Sequence, residues 1–161
     1  MNVAYLLTGG NTGDRLQHIN AAAEAIKNQC GSIVKKSTVY ETAAWGKEDQ
    51  PDYLNQAVGL ETDLSAEQLL HQCMEIEHKL GRTRDVKWES RLMDIDILFY
   101  GEKIVDSPQL KVPHPFLQVS PKVPQPFLRV SGVLFWAPKI DSSHILKRYA
   151  SLFDFYFGRP K

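Results

Sequence analysis

Two carboxylates stand two residues apart in an otherwise apolar stretch, at Asp94 and Asp96. The segment Met93–Tyr100 alternates like a strand, so both carboxylates are expected on one face of a sheet. Neighbouring half-buried carboxylates repel, which raises the pKa of each unless a cation is present. Mg²⁺ suits such a pair, because it binds a few carboxylates together with water and phosphate oxygens. The alternative is two solvent-facing aspartates, but Asp is poorly suited to strands, which favours a functional pair.

A cluster of positive charge lies directly before the carboxylate pair. It comprises four cationic side chains around an indole, at Arg82, Arg84, Lys87, Arg91 and Trp88. A guanidinium group can form two parallel hydrogen bonds to the oxygens of one phosphate, and an indole face can stack on a base. A cationic loop followed by two carboxylates is typical of a site for a metal-bound polyphosphate. The alternatives are a solvated basic loop or a nucleic-acid contact, and the net acidity of residues 1–106 disfavours nucleic acid.

Other sequence patterns that carry chemistry are weak. The sequence has no GxxxxGK[ST], so the run Gly9-Gly10-Asn11-Thr12-Gly13 is interpreted as a turn and not as a nucleotide P-loop. Five scattered histidines show no zinc spacing, and Cys30 and Cys73 form no CxxC motif. His114 lies within Val-Pro-His-Pro, a rigid context that could aim an imidazole at phosphate. A lone histidine nevertheless has a structural role more often than a ligand-binding one.

The composition is that of an ordinary globular domain. The 161 residues are 43% hydrophobic and 24% charged, with 19 basic and 19 acidic side chains. This length fits one domain, and no apolar run approaches the roughly 20 residues that span a bilayer. The start, MNVAYLLTGG, does not resemble a signal peptide, and the two cysteines fit reduced thiols. We therefore expect a cytoplasmic monomer with neither membrane nor nucleic-acid partners.

The net charge of zero is the sum of two segments with opposite net charge. Residues 1–106 hold 11 basic and 17 acidic side chains, whereas residues 107–161 hold 8 basic and only two acidic ones. The second segment also contains a near-duplicate, KVPHPFLQVS at 111–120 and KVPQPFLRVS at 122–131. We interpret the chain from about residue 116 onward as the product of a local duplication.

The elements that must position these side chains follow the order β-α-β-β-α-β. The expected strands are Val3–Thr8, Ile33–Tyr40, Tyr53–Thr62 and Met93–Tyr100. One helix is expected to start at a cap formed by Asp14 or Thr12, and the other at the capping box Ser65–Gln68. This order predicts an α+β fold, a ferredoxin-like βαββαβ sandwich in which helices pack on an antiparallel sheet.

Two finer expectations concern the last strand and the loops. Alternation places Met93, Ile95, Ile97 and Phe99 on the face opposite the carboxylates. Two irregular stretches, Thr42–Asp52 and Arg82–Leu92, are long enough to be functional loops. We expect both loops to close over a bound nucleotide.

The sequence resembles a known family, the 6-hydroxymethyl-7,8-dihydropterin pyrophosphokinases of folate biosynthesis. The resemblance covers about residues 1–115, and the stretches that carry it are Tyr40–Thr42, Trp45-Gly46, Asp49–Asn55, Glu77, Gly81–Arg84, Lys87–Leu98 and Val112–Pro115. It implies a ferredoxin-like fold and a single domain over 1–161 in which 116–161 is atypical. It also implies transfer of pyrophosphate from ATP to the pterin hydroxymethyl group, which gives AMP. The small-molecule partners would be ATP and 6-hydroxymethyl-7,8-dihydropterin.

The resemblance also implies a role for individual residues. The catalytic set would be Arg82, Arg91, Asp94 and Asp96, and the two aspartates would hold two Mg²⁺ ions. The pterin would be bound by Thr42, Trp45, Tyr53 and Asn55. ATP would be bound by Glu77, Arg84, Lys87, Trp88, Ile97 and His114.

The segment after His114 departs from the family pattern. The family has an Arg and a pterin-covering Phe in this region, and the duplication leaves Phe116, Phe127 and Arg129 as candidates without a settled register. This departure leaves an alternative function open. The chain could be a module on the same fold that binds nucleotide or pterin with impaired catalysis.

Overall fold

The computed structural model describes residues 1–42, 50–82, 91–115, 127–130 and 133–136, the last two ranges in backbone alone. Its helices are α1 (Arg15–Gln29) and α2 (Ala66–Lys79). Its strands are β1 (Asn2–Gly10), β2 (Ser32–Lys36), β3 (Tyr40–Thr42), β4 (Tyr53–Thr62), β5 (Asp94–Tyr100), β6 (Val105–Asp106), β7 (Lys111–Val112), β8 (Phe127–Val130) and β9 (Val133–Trp136).

The main sheet is antiparallel and places β1 at its centre. The strand order is β2-β4-β1-β5, and β3 pairs with the beginning of β4. Two separate ladders join β6 to β7 and β8 to β9. The order of the four long strands is that of the ferredoxin-like sandwich, which confirms the predicted fold class.

The hydrophobic core lies between one face of this sheet and the two helices. It is formed by alternate residues of the central strands, Ala4, Leu6, Val58, Leu60, Ile95 and Ile97, and by residues of the helices, Ile19, Ile26, Leu69 and Ile76. Burying each large aliphatic side chain contributes about 1.5–3 kcal/mol. Because strand side chains alternate, this packing directs the intervening residues of β1, β4 and β5 to the other face of the sheet.

Both predicted helix starts are present in the structure. Asp14 caps α1, and its carboxylate accepts a hydrogen bond of 3.0 Å from the Gln17 amide. Ser65 and Gln68 form the predicted capping box at the start of α2. Neither helix of the described part of the chain is both long enough and apolar enough to cross a membrane.

The single strand predicted over Ile33–Tyr40 is wrong, because it is divided into β2 and β3. At the division, the Ser37 hydroxyl accepts a hydrogen bond of 3.0 Å from the Ala57 amide, and the Ser37 amide donates one of 3.0 Å to the Ala57 carbonyl. A side chain thus replaces one link of the ladder, and β3 pairs again with β4 further along.

The predicted placement of Phe99 with the core residues is also wrong. The β1–β5 register shifts so that Tyr5 pairs with Phe99 and Leu6 with Ile97, which leaves Leu98 as an extra residue. An extra residue reverses the alternation beyond it. Tyr100 therefore enters the core, while the Phe99 ring meets the Tyr5 ring edge to face at 6.4 Å.

Candidate active site

The carboxylate of Asp94 binds two arginines that come from opposite ends of one predicted loop. Its Oδ1 accepts a hydrogen bond of 2.7 Å from Arg82, and its Oδ2 accepts one from Arg91. Asp94 is half-buried at the start of β5, on the sheet face away from the helices. Both oxygens are thus engaged in charge-assisted hydrogen bonds, the strongest class in proteins.

Glu77 connects helix α2 to the strand that carries the aspartates. Only 3% of its surface is exposed; its Oε1 accepts a hydrogen bond of 2.7 Å from the Ile95 amide, and its Oε2 accepts one from Arg82. Burial, followed by the charge of Asp94, raises the pKa of Glu77 to about 7, and this effect outweighs the opposing influence of Arg82. Arg82 is therefore shared by two carboxylates and held in a fixed position.

Asp96 lies two residues further along the same face in a less compensated environment. Burial, then the charges of Asp94 and Glu77, raises the pKa of Asp96 to about 7. Among the described residues, neither arginine that binds Asp94 forms an ion pair with Asp96. The neighbouring imidazole of His114 has its Nε2 at 3.8 Å from Asp96 Oδ1, beyond hydrogen-bond distance. Burial lowers the pKa of His114, so its neutral form is favoured.

These carboxylates fit a hard divalent cation. A carboxylate whose pKa is raised by burial and by like charge is stabilised in its ionised form by a metal ion. Within the described ranges, no group of three or more His, Cys, Asp or Glu side chains is arranged to hold a metal. Asp94 and Asp96 match the one or two carboxylates with which proteins usually bind Mg²⁺, whose coordination is otherwise completed by water and phosphate oxygens.

A second, uncharged group of side chains lies on the other side of β1. Asn55 is 2% exposed, and its Nδ2 donates a hydrogen bond of 2.9 Å to the Thr42 hydroxyl. The amide oxygen faces Gly9, where an added Cβ would stand 2.5 Å from Oδ1. Glycine at this position therefore leaves the space that the amide occupies. Tyr53 is half-buried nearby on β4, and burial raises the pKa of its phenol.

Gly9 stands between the charged and the uncharged group. It pairs with Asn55 on β4 and with Asp94 on β5. Adjacent strands lie about 4.8 Å apart, so the two groups are separated by about 10 Å on one face of the sheet.

The structure brings together most of the predicted site residues that it describes. The charged group contains Glu77, Arg82, Arg91, Asp94, Asp96 and His114, and the uncharged group contains Thr42, Tyr53 and Asn55. The Ile97 side chain is buried in the core, so only its main chain is available to a nucleotide. The predicted residues Trp45, Arg84, Lys87 and Trp88 lie outside the described residues.

Three residues at this end of the sheet were not predicted as part of the site. Gly10 and Asn11 contact the segment at Arg91, and Arg15 donates hydrogen bonds of 2.9 Å to Glu41 and 2.7 Å to the Asp52 carbonyl. The two glycines and the asparagine that follow the first strand were interpreted only as a turn. The signal in the sequence was the pair Gly9-Gly10 at the end of a strand, because glycine in a strand often marks the close approach of another chain segment.

The fold and this face define a class: α+β proteins whose ferredoxin-like sheet carries a carboxylate pair, one member of which binds two arginines, beside a buried asparagine. A family profile described as 7,8-dihydro-6-hydroxymethylpterin-pyrophosphokinase matches residues 5–132. The chain belongs to this family.

Curated relatives with the same name support the assignment. Each of the following is a 2-amino-4-hydroxy-6-hydroxymethyldihydropteridine pyrophosphokinase. The protein of Aquifex aeolicus is 42% identical over 118 residues, which cover 73% of this chain and 73% of that protein. The protein of Bacillus subtilis is 40% identical over 115 residues, 71% of this chain and 69% of the relative. That of Haemophilus influenzae is 36% identical over 115 residues, 71% and 72% of the two chains.

A solved structure supports the fold alone. It is described as HPPK-DHPS in complex with substrates, and it is similar to this chain with a TM-score of 0.51 at 16% sequence identity. The similarity covers 65% of this chain and 29% of that one.

Proposed function

We propose that this chain transfers a pyrophosphoryl group from ATP to the hydroxymethyl oxygen of 6-hydroxymethyl-7,8-dihydropterin, a step of folate biosynthesis. A bond forms between that oxygen and the β-phosphorus, the bond from the β-phosphorus to the oxygen of the α-phosphate breaks, and the hydroxyl proton is released. The products are AMP and the pterin diphosphate. The observation that carries the proposal is the placement of Asp94 and Asn55 on either side of Gly9. The names of the relatives agree with it.

The charged group would bind the triphosphate. With Asp94 and Asp96 as its protein ligands, Mg²⁺ would supply charge neutralisation and alignment of the attacking and leaving oxygens. Arg82 and Arg91, which now bind Asp94, lie next to that position and carry donors suited to phosphate oxygens. Glu77 would keep Arg82 in place, since it binds the guanidinium from the side of α2. The remaining predicted ATP contacts, Arg84, Lys87, Trp88, His114 and the main chain of Ile97, complete this side of the proposal.

The uncharged group would bind the pterin. After donating one N–H to Thr42, the Asn55 amide retains a second N–H and its oxygen, which can pair with a donor and an acceptor on the edge of the heterocycle. Because the Thr42 contact sets which way the amide points, the pocket is organised before a ligand enters. Tyr53, and Trp45 by resemblance, would provide apolar walls.

The direct test is product analysis on the purified chain. We expect AMP and the pterin diphosphate in equal amounts, only when ATP, the pterin and Mg²⁺ are all supplied. A folded sample that forms neither product would refute catalysis.

A second candidate function is a binding module without catalysis. The repeat at 111–120 and 122–131 favours it, because the family's pterin-covering Phe is expected in this region. Calorimetry that finds tight binding of Mg·ATP, together with no product over long incubation, would select this alternative.

A further inference from the structure

Asn11 is a buried polar residue at which the ends of the two predicted loops meet. It follows β1 directly, and only 1% of its surface is exposed. Two hydrogen bonds join it to the main chain of Arg91. The main-chain N–H of Asn11 donates one of 2.9 Å to the Arg91 carbonyl, and the side-chain Oδ1 of Asn11 accepts one of 2.7 Å from the Arg91 main-chain N–H. One residue thus satisfies both main-chain groups of Arg91.

The same side chain also binds the first predicted loop. Asn11 Nδ2 donates a hydrogen bond of 3.2 Å to the Pro51 carbonyl, and it lies 3.5 Å from the Gln50 side-chain oxygen. Every polar atom of the Asn11 side chain is therefore used, one atom for each loop. A buried network that is fully satisfied in this way holds its members in one arrangement.

The preceding glycine is necessary for this contact. A Cβ at Gly10 would stand 2.3 Å from the Leu92 carbonyl oxygen, closer than real Cβ atoms approach backbone, and 3.2 Å from the Arg91 carbonyl oxygen, which is also a tight contact. The end of the second loop thus lies directly on the end of β1. Since Arg91 in turn binds Asp94, the position of its main chain determines where its guanidinium reaches.

We propose that Asn11 is a positioning residue for pyrophosphoryl transfer. Its side-chain amide joins the loop end at Pro51 to the loop end at Arg91, and this connection places the Arg91 guanidinium at the phosphate site. The inference rests on the proposed function. Asn11 acts through Arg91 and does not contact substrate. A side-chain amide is required because the position needs one acceptor, for the Arg91 main-chain N–H, and one donor, for the Pro51 carbonyl.

The test is a double-mutant cycle on kcat with Asn11→Ala and Arg91→Ala, assayed at saturating ATP, pterin and Mg²⁺. Asn11→Ala should lower kcat about tenfold to 100-fold, as expected when two main-chain groups lose their hydrogen-bond partner. In the Arg91→Ala background, the same substitution should change kcat less than about threefold, because residues that act as a unit are not additive. The matched control is Asn28→Ala, an exposed position on α1, which should leave kcat unchanged.

Asn11→Asp provides a second variant if the alanine variant does not fold. It keeps an acceptor for the Arg91 amide, loses the donor to Pro51 and adds a carboxylate at a buried position, so its kcat should fall in the wild-type background and change little in the Arg91→Ala background. Equal loss of kcat from Asn11→Ala in both backgrounds would overturn the proposal, because a purely structural defect is additive. Unchanged kcat in Asn11→Ala would overturn it as well. An inactive wild type would refute the proposed function and this inference together, whereas an active wild type with additive variants would refute the inference alone.

Discussion

The two groups on the polar face of the sheet are held by different interactions. On the β5 side, Arg82 and Arg91 bind Asp94, Arg82 also binds Glu77, and burial raises the pKa values of Glu77 and Asp96 to about 7. On the β4 side, Asn55 and Thr42 are joined by a hydrogen bond between uncharged groups. The first group has more carboxylates than arginines, whereas the second is uncharged and is already oriented by one hydrogen bond.

This difference implies different responses to ligands. A group of buried carboxylates gains stability when a cation arrives, because the cation offsets both desolvation and mutual repulsion. The hydrogen-bonded pair of Asn55 and Thr42 carries no charge to be neutralised, and its geometry exists before a ligand binds. We therefore expect substitutions on the β5 side to change mainly turnover, and those on the β4 side to change mainly affinity for the acceptor.

The largest effect is expected from Asp96→Asn. Loss of this carboxylate should lower kcat by about 100-fold or more, the range observed when an electrostatic contributor to a transition state is removed. The free energy of unfolding without metal should not fall, because the substitution also removes repulsion with Asp94 and Glu77. Rate assays and urea unfolding measure the two quantities. Asp106→Asn, an exposed carboxylate on β6, is the matched control, and turnover retained in Asp96→Asn would contradict the metal role.

The next effect concerns Glu77, which supports the charged group from the helix side. Glu77→Ala leaves the Ile95 amide unpaired and removes one partner of Arg82, so the free energy of unfolding should fall by about 1–3 kcal/mol. Glu77→Gln keeps an acceptor for the Ile95 amide and should lose less. Glu75→Ala, an exposed position on the same helix, controls for helix propensity. If the alanine variants at 75 and 77 are equally stable, Glu77 is not the connection that the structure indicates.

A smaller and more selective effect is expected from Asn55→Ala. The affinity for the pterin should fall about tenfold, the order of one or two hydrogen bonds between uncharged groups, while the affinity for ATP should stay unchanged. Isothermal titration with each ligand separates the two. If Asn55→Ala lowers the affinities for the pterin and for ATP equally, the charged and uncharged groups do not bind separate ligands.

The smallest effect is expected from Arg15→Ala. Its contacts with Glu41 and the Asp52 carbonyl join the strands on either side of the first predicted loop, but the ion pair is partly exposed. Such pairs contribute at most about 1 kcal/mol, so the KM for the pterin should rise less than about fivefold. Lys27→Ala, exposed on the same helix, is the control. A change confined to the KM for ATP would show that these contacts of Arg15 do not support the proposed pterin pocket.

The sequence predicted the parts of the fold that depend on local pattern. Strand β4 has the predicted bounds, and the capping box of α2 is formed by the predicted Ser65 and Gln68. The common face of Asp94 and Asp96 follows from alternation alone, because both precede the register shift in β5. Alternation did not predict Phe99, since the extra residue Leu98 arises from pairing with β1 and not from the composition of β5.

The site was predicted less completely because its contacts join distant segments. The division at Ser37 depends on a hydrogen bond to Ala57, and the role of Asn11 depends on Arg91, 80 positions further along the chain. Local pattern contains no information on such pairs. The resemblance to a family predicted residues that contact ligands. It did not predict Gly9, Gly10 and Asn11, which contact Asn55 and the segment at Arg91 and do not bind ligands themselves.

The pairing of Gly9 with both Asn55 and Asp94 has a consequence for the spacing of the two groups. The separation between the charged and the uncharged group is set by the backbone hydrogen bonds of three adjacent strands and not by side chains. A register slip could change it only in whole-residue steps, and each step would turn the core face outward. In this chain the span between the two groups is therefore a property of the sheet, independent of the residues that fill the loops and pocket walls.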